Sequence, residues 1–97
     1  MTLVMLYRTK VQPDAIEQLN DIRAQFSEIY SKHGIEVIGH WQTAENPAES
    51  VYMVRYANES DYQHKTRTLQ EDENYISLTA QLNSIRIDFK PEKLVPA

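Results

Sequence analysis

The sequence predicts an α+β fold in which the elements follow in the order strand, helix, strand, strand, helix, strand. A strand-like apolar segment precedes Pro13, and a long amphipathic helix pattern then runs to Gly34. A second strand begins directly after that glycine, and a strand, a helix and a last strand follow. Because 97 residues suffice for one hydrophobic core, we expect a single domain over residues 1–97, with about 91–97 as a C-terminal tail.

Residues 2–10 form the predicted first strand, and apolar side chains occupy both of its faces. Leu3, Met5 and Tyr7 share one face, whereas Val4 and Leu6 share the other. Strands that are covered on both sides show this pattern. We therefore expect something to pack against each face of the sheet.

The first helix is predicted to begin at Pro13 and Asp14 and to continue to about His33. Proline fits the first turn of a helix, and an acidic residue there complements the positive end of the helix dipole. Apolar residues recur at intervals of three and four, at Ile16, Leu19, Ile22, Phe26, Ile29 and Tyr30. Gly34 is expected to end the helix in the left-handed conformation, which glycine adopts without steric cost.

Residues 35–43 and 50–57 are predicted to form two strands joined by a polar loop, as in a hairpin. Simple alternation puts Ile35, Val37, Gly39 and Trp41 on one face of the second strand. The same alternation puts Glu36, Ile38, His40 and Gln42 on the other.

The next helix is expected to be capped by Asn58 or Ser60, and its pattern is interrupted at residues 72–74. A short second helical piece resumes after the interruption. Residues 84–90 then alternate as a fourth strand, in which Ile85, Ile87 and Phe89 are expected to point inward. Arg86, Asp88 and Lys90 are expected to point outward.

Two strand–helix–strand halves of this kind predict a ferredoxin-like βαββαβ fold with a four-stranded antiparallel sheet and both helices on one face. The opposite face would be open in a monomer, although the first and third strands offer apolar residues to it. Since an uncovered apolar sheet face is typical of an interface, we expect a homodimer in which two sheets pack face to face.

Composition excludes several functional classes. A net charge of −4 argues against nucleic-acid binding, because phosphate backbones attract basic surfaces. The absence of cysteine excludes disulfides and thiolate metal sites, and no apolar run is long enough to span a membrane. The three histidines share no metal-ligand spacing, and two glycines cannot build a phosphate loop. We therefore expect a cytoplasmic protein without metal or cofactor.

Several short motifs, in their order and spacing, make the chain resemble the NIPSNAP family over roughly residues 3–87. These motifs are Val11-Gln12-Pro13, Gly34 with Ile38-Gly39-His40-Trp41, Val54-Arg55-Tyr56, and Leu69-Gln70-Glu71-Asp72-Glu73-Asn74-Tyr75. The resemblance implies a dimeric α+β barrel, which is the fold and dimer that the patterning predicts. It implies no particular reaction, because the activity of that family is unsettled.

Three residues are candidates for catalysis. His40 lies on the strand face opposite Trp41, and its side chain can act as general acid or base near neutral pH. Arg55 and Tyr56 end the third strand, where they could hold a carboxylate or an enolate. The alternatives are a hydrogen-bonded interface histidine for His40 and an ion pair with Glu36 or Asp88 for Arg55.

Four residues are candidates for ligand binding. We expect that Tyr7, Trp41 and Tyr52 either line an apolar cavity between sheet and helices or belong to the core. His64 either points toward the sheet from the second helix or is exposed to water, and its charged neighbours favour exposure.

Three functions agree with these observations. The first is a NIPSNAP-like protein that binds a small, partly apolar ligand between sheet and helices. The second is a cofactor-free monooxygenase, isomerase or decarboxylase that uses His40 as a base and Arg55 with Tyr56 as anion holders. The third is a non-catalytic dimeric interaction module. The resemblance favours the first.

Overall fold

The computed structural model describes residues 2–97 and contains four strands and three α-helices. A 3₁₀ turn at Pro13–Ala15 leads directly into the first α-helix. The elements in chain order are β1 (Leu3–Val11), α1 (Ile16–Lys32), β2 (Glu36–Gln42), β3 (Glu49–Tyr56), α2 (Glu59–Gln70), α3 (Glu73–Ile85) and β4 (Arg86–Leu94).

The four strands form one antiparallel sheet in the order β2-β3-β1-β4. One face of the sheet packs against the helices, and the core lies between them. From the sheet the core takes Leu3, Met5, Val11, Tyr52, Val54 and Tyr56, and from α1 it takes Leu19, Ile22, Phe26 and Tyr30. This arrangement confirms the predicted ferredoxin-like α+β fold.

Strands β1 and β3 lie in the middle of the sheet and carry apolar residues on both faces. Residues on the outer face, which is the face away from the helices, lie opposite one another across the two strands, as Leu6 and Met53 do. Val4, Leu6, Val51 and Met53 remain partly accessible there, whereas Val54 on the helix face has an exposed fraction of 0%. The two strands therefore carry apolar residues on both faces, as predicted, but in the single chain the helices cover only one of these faces.

Helix α1 ends at Lys32, and Gly34 follows it in the predicted left-handed conformation, with a φ of 69°. The Ile35 amide donates to the carbonyl of Tyr30 at 2.9 Å, which closes the helix end. Lys65 of α2 donates to the Gly34 carbonyl at 2.8 Å. This contact joins the segment before β2 to α2.

The predicted interruption at residues 72–74 is a break between two helices. The Asn58 side chain caps α2 by accepting from the Asp61 amide at 2.8 Å, and the Asp72 side chain caps α3 by accepting from the Asn74 amide at 2.9 Å. Asp72 also bonds His33 Nε2 at 2.7 Å, which joins this break to the end of α1.

The predicted bounds of the last two elements were wrong. Helix α3 includes Ile85, because that residue is 8% exposed and continues the helical spacing from Leu78 and Leu82. Strand β4 consequently begins at Arg86 and runs to Leu94, so the tail is shorter than expected. Ile87 does not point inward, since it lies at a register shift opposite Lys10 and Val11 and is 56% exposed.

A β-bulge in β2 changes the predicted faces of that strand. The register passes from Val37 opposite Val54 to Gly39 opposite Met53, so Ile38 has no partner of its own. After the bulge, His40 lies opposite Tyr52 on the helix face and Trp41 lies opposite Val51 on the outer face. Val37 and Trp41 therefore occupy different faces, contrary to the alternation that the sequence suggested.

Over the part of the chain that the structure describes, no helix is long and apolar enough to cross a membrane.

Candidate functional site

A cavity of about 210 Å³ lies between the sheet and helices α1 and α3. From the sheet, its walls include Tyr7, Thr9, Ser50, Tyr52 and Phe89. From the helices, they include Phe26, Tyr30, Tyr75 and Thr79. The cavity therefore forms where the helix face of β1, β3 and β4 meets the apolar faces of α1 and α3.

Aromatic rings make up much of the wall. Tyr7 stacks on Phe89 with 5.9 Å between the ring centroids, and Phe26 meets Tyr75 edge to face at 5.8 Å. Burial raises the pKa of Tyr7 and of Tyr75 above the ordinary tyrosine value. These phenols are consequently neutral at physiological pH and act as hydrogen-bond donors and acceptors beside an otherwise apolar surface.

Tyr52 lies in the cavity wall and contacts residues of both α1 and β2. Its hydroxyl is 2.9 Å from Ser27 Oγ on α1, and its ring centroid lies 5.8 Å from that of Tyr30. On its other side, the ring of His40 lies 5.8 Å away, centroid to centroid. The two predicted cavity residues Tyr7 and Tyr52 are thus in the wall, and burial raises the pKa of Tyr52 as well.

Two guanidinium groups belong to the wall, and sequence reasoning missed both of them. Arg23 comes from α1, and Arg86 comes from the junction of α3 with β4. Burial lowers the pKa of each arginine from its usual value. The signal for Arg23 was present in the sequence, because that residue lies four positions after Leu19 and three before Phe26, on the buried stripe of α1.

Arg86 was predicted to point outward, and this was wrong. It follows Leu82 by one helical turn, so the side chain at the end of α3 reaches the cavity wall. Its guanidinium carbon lies 4.0 Å from the centroid of the Phe89 ring, a cation–π distance. The guanidinium of Arg86 thus covers one face of the Phe89 ring, a side chain that is 38% exposed.

The three candidate catalytic residues are not brought together. His40 and Arg55 lie on opposite faces of the sheet, as their register partners Tyr52 and Glu36 show. Arg55 Nε donates to Glu36 Oε2 at 2.7 Å, so the ion-pair alternative describes it. Tyr56 is 1% exposed, and its hydroxyl has no hydrogen-bond partner within residues 2–97. A base at His40 acting with an anion holder at Arg55 is incompatible with this geometry.

Trp41 and His64 also lie away from the cavity. Trp41 is 62% exposed on the outer face of the sheet, because the bulge at Ile38 turns it there. A Cβ atom at position 39 would lie 2.9 Å from Trp41 Nε1, so the indole rests directly over Gly39. His64 is exposed on α2.

Metal ligation has no structural support in the described part of the chain. Among residues 2–97, no three His, Asp or Glu side chains are grouped so that they could hold a metal ion.

Several solved structures share the fold of this chain. A NIPSNAP family protein from Agrobacterium tumefaciens superposes with a TM-score of 0.87 at 17% identity, covering 100% of this chain and 94% of that one. An uncharacterised NIPSNAP domain protein from Burkholderia xenovorans gives a TM-score of 0.84 at 16% identity, covering 98% and 94%. A putative antibiotic biosynthesis monooxygenase from Nitrosomonas europaea gives 0.80 at 14% identity, covering 98% and 89%.

Comparisons at the level of sequence give a different result. No protein-family model matches the chain, and no curated protein matches it. The structural matches are below 20% identity and bear on the fold alone. The chain therefore has a NIPSNAP-type α+β fold, in agreement with the resemblance found in its sequence motifs.

Proposed function

We propose that this protein binds a small, partly apolar ligand in the cavity between the sheet and helices α1 and α3. The observation that carries the proposal is the cavity itself, with aromatic walls and a few polar groups, a combination that is typical of small-molecule sites. Tyr7 and Tyr52 are the wall residues that the sequence also suggested. Trp41 and His64 have no part in the proposed site.

The size of the cavity limits the ligand. Ligand pockets are commonly about 300–1,000 Å³, whereas an engineered apolar cavity of about 150 Å³ accepts benzene. A volume of about 210 Å³ lies between these cases. A single ring with a short substituent fits this space, and a polycyclic compound does not fit without movement of α1 or α3.

Calorimetric titration with cinnamamide, a neutral one-ring probe, tests the proposal. We expect saturable binding of one molecule per chain. The variant Thr79→Phe places a ring in the cavity and should weaken binding strongly. Thr79 is one of the lining residues, so the added ring takes up the space of the ligand directly.

Ala80→Phe is the matched control, because Ala80 is the next residue of α3 and is exposed. It adds the same ring outside the cavity and should leave the affinity unchanged. Equal loss of binding in both variants, or an absence of binding across a panel of neutral one-ring compounds, would exclude the proposed site.

We also propose that a second copy of this chain covers the outer face of the sheet. The half-buried residues Val4, Leu6, Val51 and Met53 form an apolar centre there, beside the exposed ring of Trp41. Glu36 and Arg55 form an ion pair toward one end of β2 and β3. Arg8 of β1 and Lys90 of β4, both positively charged, lie opposite each other in the sheet. An apolar centre with a charged rim is the usual composition of an interface between protein chains.

A small cofactor-free enzyme is the second candidate, and the two arginines in the cavity wall favour it. Guanidinium groups beside neutral phenols can stabilise an enolate. No Asp, Glu or His of the described chain is among the lining residues, so the proton next to the carbonyl would pass to hydroxide or a buffer base from solvent. Exchange of the side-chain α-hydrogens of phenylacetone for deuterium, followed by NMR in D₂O, tests this candidate. Exchange at the same rate with and without the protein would contradict it.

A further inference from the structure

We infer that the ligand of the cavity carries an anionic group, most simply a carboxylate on an aromatic ring, and that Arg23 and Arg86 bind this group. The inference rests on the proposed function and adds the chemical class of the ligand to it. Its basis is a pair of cationic side chains in the wall of one cavity, neither of which has a carboxylate partner in the described chain.

Arg23 has an incompletely satisfied guanidinium. One of its terminal nitrogens donates to the Asn20 side chain within α1. Its Nε is buried and makes no hydrogen bond within residues 2–97. No Asp or Glu oxygen of that range lies within ion-pair distance of Arg23, whereas Lys65 and Lys93 both have such partners. A buried donor that lacks a partner has a cost, which a bound anion would remove.

Arg86, from the junction of α3 with β4, likewise lacks a carboxylate partner in the described chain. Its guanidinium donates to the Asn83 side chain and lies over the Phe89 ring at 4.0 Å. None of the salt bridges formed by the described residues involves it. Asn20 and Asn83 are neutral, so these partners do not compensate the positive charges of Arg23 and Arg86.

The charge of the whole chain makes this placement informative. The net charge is −4, so acidic residues outnumber basic ones and partners for two arginines are plentiful. Arg55 has Glu36 as its partner on the outer face. The cavity nonetheless has two arginines in its wall and no Asp or Glu among its lining residues. Because the planar guanidinium matches a carboxylate with two parallel hydrogen bonds, this is the group that the wall is suited to receive.

The aromatic rings determine the rest of the ligand. Tyr7, Phe26 and Tyr75 line the same cavity as the two cations and provide ring surfaces for stacking. An inorganic anion would leave this apolar surface uncovered, and a neutral hydrocarbon would leave the arginines uncompensated. An arylalkanoate or aryl-acrylate satisfies both parts of the wall within about 210 Å³.

Cinnamate and cinnamamide are a matched pair of probes, since they share size and shape and differ only in the charged group. We expect calorimetry at pH 7 to give at least about tenfold tighter binding of cinnamate, the ratio typical of a hydrogen bond to a charged group. Inorganic phosphate, titrated separately, should compete with cinnamate only weakly. Phosphate that binds more tightly than cinnamate would overturn the assignment of an aromatic acid.

Arg86→Gln and Arg23→Gln should each remove most of the preference for cinnamate, because they weaken the binding of the charged carboxylate far more than that of the neutral amide. Arg86→Lys keeps a charge and should restore part of the preference. Arg67→Gln is the control, because Arg67 is exposed on α2 and is not part of the cavity wall. Retained binding of cinnamamide, together with a native circular dichroism spectrum, shows that each variant is folded.

The outcomes separate the inference from the proposed function. Equal affinity of the native protein for both probes would overturn the anionic ligand and leave the cavity proposal in place. Failure of both probes to bind would overturn the two proposals together. A preference for cinnamate that survives Arg23→Gln and Arg86→Gln would remove these arginines from the inference.

Discussion

The substitution Trp41→Ala tests whether two copies of the chain associate through the outer face of the sheet. Trp41 is the only tryptophan, and it is 62% exposed on that face. In the single chain the indole lies over Gly39 and adds little to the core. We therefore expect the substitution to change the free energy of unfolding of the monomer by no more than about 0.5 kcal/mol, as surface substitutions do.

Its effect on association should be much larger. A tryptophan side chain buries up to about 250 Å², so an exposed fraction of 62% leaves about 150 Å² per chain for a partner. At about 25 cal/mol per Å², complete burial of both copies stabilises a dimer by up to about 8 kcal/mol. Because ordering and desolvation offset much of an area term, we take a quarter to a half of it, about 2–4 kcal/mol. This weakens dimerisation by about 30- to 1,000-fold.

Sedimentation equilibrium of the native protein and of the variant measures this change directly. The native tryptophan gives a second measure, because its emission should shift to longer wavelength and become more accessible to acrylamide as the protein is diluted. Ile76→Ala is the control, since Ile76 is 53% exposed on α3 and faces no part of the proposed interface. A variant with the dimerisation constant of the native protein would refute the reasoning, as would a native protein that stays monomeric at high concentration.

Other predictions concern the ends of the helices. Gly34→Ala places a side chain at a φ of 69° and should destabilise the protein by about 1 kcal/mol in urea unfolding; no loss would mean that the turn rearranges easily. Asn58→Ala removes the side-chain acceptor that caps α2 and should also cost about 1 kcal/mol by the same measurement, whereas Asn58→Asp should cost less. The hydrogen bond from His33 is the main cause that lowers the pKa of Asp72. The ionised Asp72 side chain therefore stabilises the fold above the pKa of an unfolded aspartate, about 4. This stabilisation is lost as the pH falls through the lower pKa that Asp72 has in the folded protein. Unfolding temperatures measured from pH 5 down to about 2 should therefore fall less steeply for Asp72→Asn than for the native protein.

The element order could be predicted from the sequence because each element has a strong local signal. The end of α1 is the clearest case, since glycine is favoured at the left-handed position that Gly34 occupies. The caps of α2 and α3 are also local, since the Asn58 and Asp72 side chains accept hydrogen bonds from amides two or three residues further along the chain. Where apolar spacing suited both helix and strand, as at Ile85, packing against the core decided for the helix.

The candidate site was harder to predict, because its geometry depends on contacts between distant parts of the chain. The unpaired residue Ile38 shifts the register of β2, and no local property of that residue signals a bulge. This one shift moved Trp41 away from the cavity and separated His40 from Arg55. Arg23 and Arg86 were missed for a different reason. Each lies at a helical position in line with an apolar stripe, but a charged side chain is normally expected to point into solvent.

The two proposals use opposite faces of the same strands, and this makes them independent. Strand β1 presents Tyr7 to the cavity and Leu6 to the outer face, and β3 presents Tyr52 and Met53 in the same way. Alternation along a strand keeps neighbouring side chains on different sides of the backbone. Loss of the dimer should therefore leave the cavity intact, provided that the sheet itself remains folded. We expect Trp41→Ala to bind cinnamate as the native monomer does, and loss of that binding on dissociation would mean that the second copy contributes to the cavity.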